Sequence, residues 1–158
     1  MLRPLTIALL LAAAPAAAQD IGFGGVKADI SAPVEVAADR LAVDQADGSA
    51  VFTGNVVIGQ GEMRLSADKV TVLYAEGGQS RIRSLRAEGG VTLVSGADAA
   101  EAREAVYDVE SGNVTLTGDV VLTQGRNALT GDRMVVDLAS GSATVDGRVR
   151  SVLQPGGN

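Results

Sequence analysis

One short run of residues is written twice in this chain, and it limits the fold more than any other feature. Phe52-Thr53-Gly54-Asn55-Val56-Val57-Ile58 and Leu116-Thr117-Gly118-Asp119-Val120-Val121-Leu122 align without a gap at an offset of 64 residues. The match extends on both sides: Asp44 falls on Asp108, Gly48 on Gly112, Gln60 on Gln124, Gly61 on Gly125 and Leu65 on Leu129. Weaker copies follow as Glu88-Gly89-Gly90-Val91-Thr92-Leu93 and Asp146-Gly147-Arg148-Val149. Aligned on the shared glycine, the units open near Asp39, Asp68, Arg103 and Asp132, spaced 29, 35 and 29 residues apart. The extra six residues fall around 76–84. Periods of about 20 to 50 residues belong to stacked architectures, in which each unit buries its apolar face against its neighbours.

Inside each unit the apolar residues alternate, the period-two signature of half-buried strands. The first unit carries Leu41 and Val43, Ala50 and Phe52, Val56 and Ile58, Met63 and Leu65; the second Val70 and Val72, Leu85 and Ala87, Val91 and Leu93. The third carries Ala105 and Tyr107, Val114 and Leu116, Val120 and Leu122, then Leu129; the fourth Met134 and Val136, Ala143 and Val145, then Val149. Asp47-Gly48, Gly54-Asn55 and Gln60-Gly61 separate the pairs, residue types that accept the positive φ of tight turns. The pattern predicts an all-β chain of about 14 to 16 short antiparallel strands, each about four to six residues long. Residues 97–106 are rich in helix formers. The repeat lays them over 62–71, so they are expected as strand, because packing overrides propensity over so short a window. Strands of this kind, each burying one face, pair into a sandwich or jelly roll. Its interior of Val, Leu, Ile, Ala and Met, with two Phe, two Tyr and no Trp, suits flexible hydrocarbon or simply fills itself.

The formal charge of −6 and pI near 4.6 argue against nucleic acid as a partner, since phosphates call for Lys and Arg clusters. Cysteine and histidine are both absent, which removes disulfides, thiolate sites and any Ser-His-Asp or Cys-His machinery. No catalytic residue, metal site or cofactor is expected, and the chain reads as a non-enzyme. Asp39, Asp68 and Asp132 are assigned to turns, where Asp caps backbone N–H groups. Arg81, Arg83 and Arg86 form a local basic cluster. It is either a solvated strand face or a contact for phosphate, which Arg favours.

Residues 1–18 read as a cleaved secretory signal: Arg3, the apolar run Leu5–Ala14, and Ala16-Ala17-Ala18 before Gln19. That run is too short to span a bilayer. Residues 19–33 are expected as a flexible lead-in, 34–153 as the β domain and 154–158 as a disordered tail.

The runs Phe52-Thr-Gly-Asn-Val-Val-Ile-Gly-Gln-Gly61 and Leu65-Ser-Ala-Asp-Lys-Val70, with the second copy through Gly125, resemble the signature of the OstA family. The resemblance covers roughly Val34 to Leu153 and implies a twisted, V-shaped β-jelly roll with open ends and an apolar interior. It implies a periplasmic carrier of lipopolysaccharide with the lipid A acyl chains in the groove. Groove residues would be Leu41, Val43, Phe52, Val56, Ile58, Leu65, Val70, Val72, Val91, Leu93, Tyr107, Val114, Leu116, Val120, Leu122, Leu129, Met134, Val136 and Val145. It further implies end-to-end joining by edge-strand pairing. The rung at 34–43 would meet an inner-membrane (LptC-like) partner, and the rung at 147–153 another copy or an outer-membrane (LptD-like) partner. Two readings compete: a ligand-free structural or adhesive β-repeat, and a membrane-anchored LptC-like relative that keeps its N-terminal helix.

Overall fold

The structure, a computed structural model, describes residues 21–22, 29–76 and 81–155. The signal reading at 1–18 and, of the tail expected at 154–158, residues 156–158 lie outside the described residues. The described chain has eleven strands: β1 (Ile21–Gly22), β2 (Glu35–Ala37), β3 (Arg40–Asp44), β4 (Ser49–Gln60), β5 (Met63–Tyr74), β6 (Ile82–Ser95), β7 (Asp98–Asp108), β8 (Asn113–Gln124), β9 (Asn127–Asp137), β10 (Ser142–Asp146) and β11 (Arg150–Val152). From β4 to β9 each strand pairs antiparallel with the next. β2 and β3 share the outer edge of β4, while β10 and β11 share the outer edge of β9. Of the segment 97–106, residues 98–106 are strand, within β7, and Ala97 lies in the turn before it.

The all-β, antiparallel, open-ended arrangement is the one expected, but the strands are fewer and longer than the expected 14 to 16. The reason is the role of the Gly-x pairs. They do not reverse the chain; they bulge it. Gly54-Asn55 in β4 stands opposite the single residue Asp68 of β5, and Gly118-Asp119 in β8 opposite Asp132 of β9, where the registers shift. Comparable shifts interrupt β5 with β6, β6 with β7 and β7 with β8 at the same level. An extra residue on one strand bends it and strengthens its twist. Aligned bulges across consecutive strands therefore fold the whole sheet along one crease. Two arms result. Arm 1 holds residues 49–53, 69–74, 82–88, 104–108, 113–117 and 133–137, with β3 and β10 beside them. Arm 2 holds 56–60, 63–66, 91–95, 98–101, 120–124 and 127–130, with β2 and β11.

The crease explains the glycines. A Cβ on Gly89 would lie 2.7 Å from Asp68 Cβ, and one on Gly147 2.8 Å from Asp132 Cβ; those on Gly54 and Gly118 would lie 3.0 Å from Asp39 Cβ and Arg103 Cβ. All four have positive φ. The following position also has positive φ but accepts Asn55, Asp119 or Arg148. Its side chain reaches back along the crease: Asn55 Nδ2 donates to Asp39 Oδ2 at 3.0 Å, Arg103 pairs with Asp119, and Arg148 donates to Asp132 at 2.8 Å. Asp39, Asp68 and Asp132 are thus crease residues, correcting the assignment to turns. The turn N–H groups are capped instead by Asp44, Asp47, Asp108 and Asp137.

The stretch expected as a free lead-in also takes part. Ile21 and Gly22 pair with Ala143 and Ser142, extending the sheet beyond β10. Residues 29–32 form a turn, Ala32 N–H to Asp29 O at 3.0 Å, that packs near the tips of both arms.

Candidate functional site

The inner faces of the two arms meet in an apolar seam. Arm 1 contributes Ala50, Val70, Val72, Leu85, Ala87, Tyr107, Val114, Leu116, Met134 and Val136. Arm 2 contributes Val56, Ile58, Met63, Leu65, Val91, Leu93, Ala100, Val120 and Leu122, and each of these residues is at most 2% exposed. Period two carries this arrangement: inward positions stay inward through each bulge, because two residues oppose one and the alternation resumes. Of the expected groove residues, fifteen of the nineteen are accordingly in the seam or packed on it as Phe52, and Leu129 and Val145 line its partly buried end. Leu41 and Val43 differ. Both lie on β3, the last strand of arm 1, and are 53% and 51% exposed because among the described residues no strand beyond covers them. Val57, in the opposite register, faces out at 40%.

The seam is closely packed. At the C-terminal end of arm 2 a cavity of about 60 Å³ opens between Leu122, Leu129 and Leu153, enough for a few water molecules. At the N-terminal half of the mouth, opposite the crease, the arms touch through polar groups. Tyr107 Oη donates to Gln60 Oε1, while Gln60 Nε2 donates to the carbonyls of Ile30 at 3.1 Å and Ala32 at 3.0 Å. Burial pushes the Tyr107 phenol above its ordinary range. Sequence reading missed this contact, although Gln60 recurs as Gln124 and Tyr107 sits in the inward register.

The ends of the stack are edges. Among the described residues β2, β3 and β11 have no strand on their outer sides, whereas β10 is covered by β1. Val152 and Leu153 at the C-terminal end are 58% and 71% exposed. Unpaired strand edges carrying apolar side chains template pairing with another chain.

The three arginines are exposed. Arg81 and Arg86 stand 3.6 Å from Glu110 and Glu104, all well exposed, so each pair contributes little stability. Arg83 gives its backbone carbonyl to Val109 N–H. Among the described residues no group of three or more acidic side chains could hold a metal ion. No helix among them is long and apolar enough to cross a membrane.

Known proteins resemble this chain. An uncharacterized protein of Rhizobium meliloti is 31% identical over 120 residues, 72% of this chain and 64% of its own length. The lipopolysaccharide export system protein LptA of Escherichia coli K12 is 34% identical over 77 residues, 49% of this chain and 41% of its own. The chain thus matches less than two thirds of the length of either relative. The crystal structure of LptH from Pseudomonas aeruginosa, described as the LptA homologous periplasmic component of a lipopolysaccharide transport device, superposes with a TM-score of 0.71. It covers 81% of this chain and 99% of that one at 23% identity, a likeness of fold. Residues 35–142 match the family model described as LptA/(LptD N-terminal domain) LPS transport protein. That match takes in every bulged strand and more than half the sequence, and the chain belongs to that family.

Proposed function

We propose that this protein is a periplasmic, non-catalytic carrier that shields lipopolysaccharide acyl chains between its arms. In this reading it bridges inner- and outer-membrane partners by adding strands at its ends. The observation that carries the proposal is the continuous apolar seam running between the open edges at β2 and β3 and at β11. Acyl chains crossing water expose apolar surface at roughly 25 cal/mol per Å². A seam lined mainly by Val, Leu, Ile, Ala and Met, with Phe52 and Tyr107 among them and buried polar groups such as Gln60 and Ser95 at the tips, removes that cost without a bond being made. Residues 1–18 would be the cleaved export signal, 34–153 the carrier domain. The N-terminal edge at β2 and β3 suits the LptC-like partner, and β11 suits an LptD-like partner or another copy. Arg81, Arg83 and Arg86, all exposed, suit a phosphate contact for which Arg81 and Arg86 give up Glu110 and Glu104.

The close packing of the seam favours a second reading, a scaffold that holds nothing. One experiment separates them. A photo-reactive residue at Ile58, Leu116 or Leu122 in a lipopolysaccharide-producing host should yield a lipopolysaccharide adduct, with outward Val57 as control. Adducts no stronger than at Val57 would leave the scaffold.

A further inference from the structure

For a lipid to enter so tightly packed a seam, the arms must part, and the structure differs between its two halves in how firmly they are held. β4 and β7 are separated in the sheet by β5 and β6, so the hydrogen bond from Tyr107 to Gln60 cannot be a neighbour contact. It crosses the mouth from arm 1 to arm 2. Gln60 is 2% exposed and Tyr107 1%. Both amide hydrogens of Gln60 are committed to the carbonyls of Ile30 and Ala32, and its oxygen to the phenol, so the buried amide is satisfied only while the 29–32 turn is in place. The turn is pre-shaped by Ser31 N–H donating to Asp29 Oδ1 at 3.0 Å. It also touches both tips: a Cβ on Gly61 of arm 2 would lie 3.6 Å from Asp29 Cβ, and one on Gly112 of arm 1 would lie 3.5 Å from Ile30 Cγ2.

The internal repeat supplies the comparison. Gln124 occupies the register of Gln60 one 64-residue unit later. Its amide donates sideways, to Asp98 on the adjacent strand β7 at 3.3 Å, and among the described residues ties nothing across the mouth. There the small cavity opens, with Gln124 in its wall. The same residue closes one half of the molecule and leaves the other ajar. The difference is the 29–32 turn and the tyrosine facing it. Ile30 itself stays 44% exposed, so little apolar surface opposes release of the turn.

We infer that Asp29–Ala32, Gln60 and Tyr107 form a latch that keeps the N-terminal half of the seam shut, and that an acyl chain enters this half only after the turn lifts from Gln60. This rests on the carrier reading and adds to it where and how the seam opens.

The chain has no cysteine, which makes a lock simple to build. In the double variant Asp29→Cys with Gly61→Cys the Cβ atoms fall within disulfide range. Gly61→Cys alone, at a positive φ, serves as the folding control. Purified lipopolysaccharide carrying a fluorescent acyl chain is the probe. The oxidised double variant should take it up at least about ten-fold more slowly than the same protein after reduction, and Gln60→Ala several-fold faster than the natural protein. Measurable uptake that is equal in the oxidised and reduced forms overturns the latch. Amide hydrogen exchange gives a readout that needs no lipid. Gln60→Ala should speed exchange at the tips of both β4 and β7; acceleration confined to residues 29–33 overturns the latch as well. Exchange that behaves as expected in a protein that takes up no lipid in any form supports the latch and rejects the carrier reading.

Discussion

Gly89 and Gly90 offer a test of the crease that carries its own control. They are adjacent, with φ of 84° and 79°. A Cβ at Gly90 meets nothing within 4 Å, whereas one at Gly89 lies 2.7 Å from Asp68 Cβ, an atom fixed to its backbone. Alanine at either site costs about 1–2 kcal/mol for the left-handed conformation, offset only in part by about 0.4–1 kcal/mol of unfolded-chain entropy. Gly90→Ala should therefore destabilise by no more than about 2 kcal/mol. Gly89→Ala adds an overpacked contact that moves two strands, about 1–3 kcal/mol more. At about 2–4 °C per kcal/mol for a chain of this size, its melting temperature should fall about 2–12 °C below that of Gly90→Ala. Circular dichroism melts of both variants measure the gap. Asp68→Gly, which removes the atom struck, should narrow it in a double-mutant cycle. Melting temperatures that coincide, or a gap that Asp68→Gly leaves unchanged, would refute the claim that contact across the crease demands glycine at the first position.

Two further outcomes follow from the mouth and the ends. Tyr107→Phe leaves Gln60 Oε1 buried without its donor and should cost about 1–3 kcal/mol at neutral pH by urea unfolding. Because burial raises the phenol's folded pKa above its unfolded value near 10, its neutral form stabilises the protein fully below about pH 10; that contribution is lost as pH rises through the folded value. The natural protein should accordingly lose more stability than Tyr107→Phe in strong alkali, and identical losses would contradict this. Val152→Glu with Leu153→Glu should weaken end-to-end association in sedimentation while leaving the melting temperature within about 1 °C, since both side chains are exposed. Unchanged association would remove β11 as a docking edge.

Much of this molecule was written in a pattern of two. Alternation alone placed Val56, Ile58, Leu93, Leu116 and Leu122 on one buried face and Val57 on the other. The repeat, here at an offset of 35 residues, also pointed to strand for the helix-prone 97–106, and strand it is from Asp98, because its neighbours on both sides are strands that need a partner. Local chemistry misread what Gly54-Asn55 and Asp39 were for. Gly-Asn is good hairpin chemistry, and whether it reverses a strand or bulges it depends on the residues opposite, which sequence proximity does not reveal. Asp39, Asp68 and Asp132 have the composition of turn caps but are held by strands that meet them only after the sheet has formed. The joining of Gln60 to Tyr107 and to the carbonyls of Ile30 and Ala32 spans 47, 30 and 28 residues. Sequence by itself determined which side chains are greasy, which way they face and how often the chain repeats, because those follow from a two-residue period along one strand. Only the folded sheet decided where it creases, which ends stay unpaired and which half of the mouth is tied, because those depend on groups brought together across strands that do not touch in sequence.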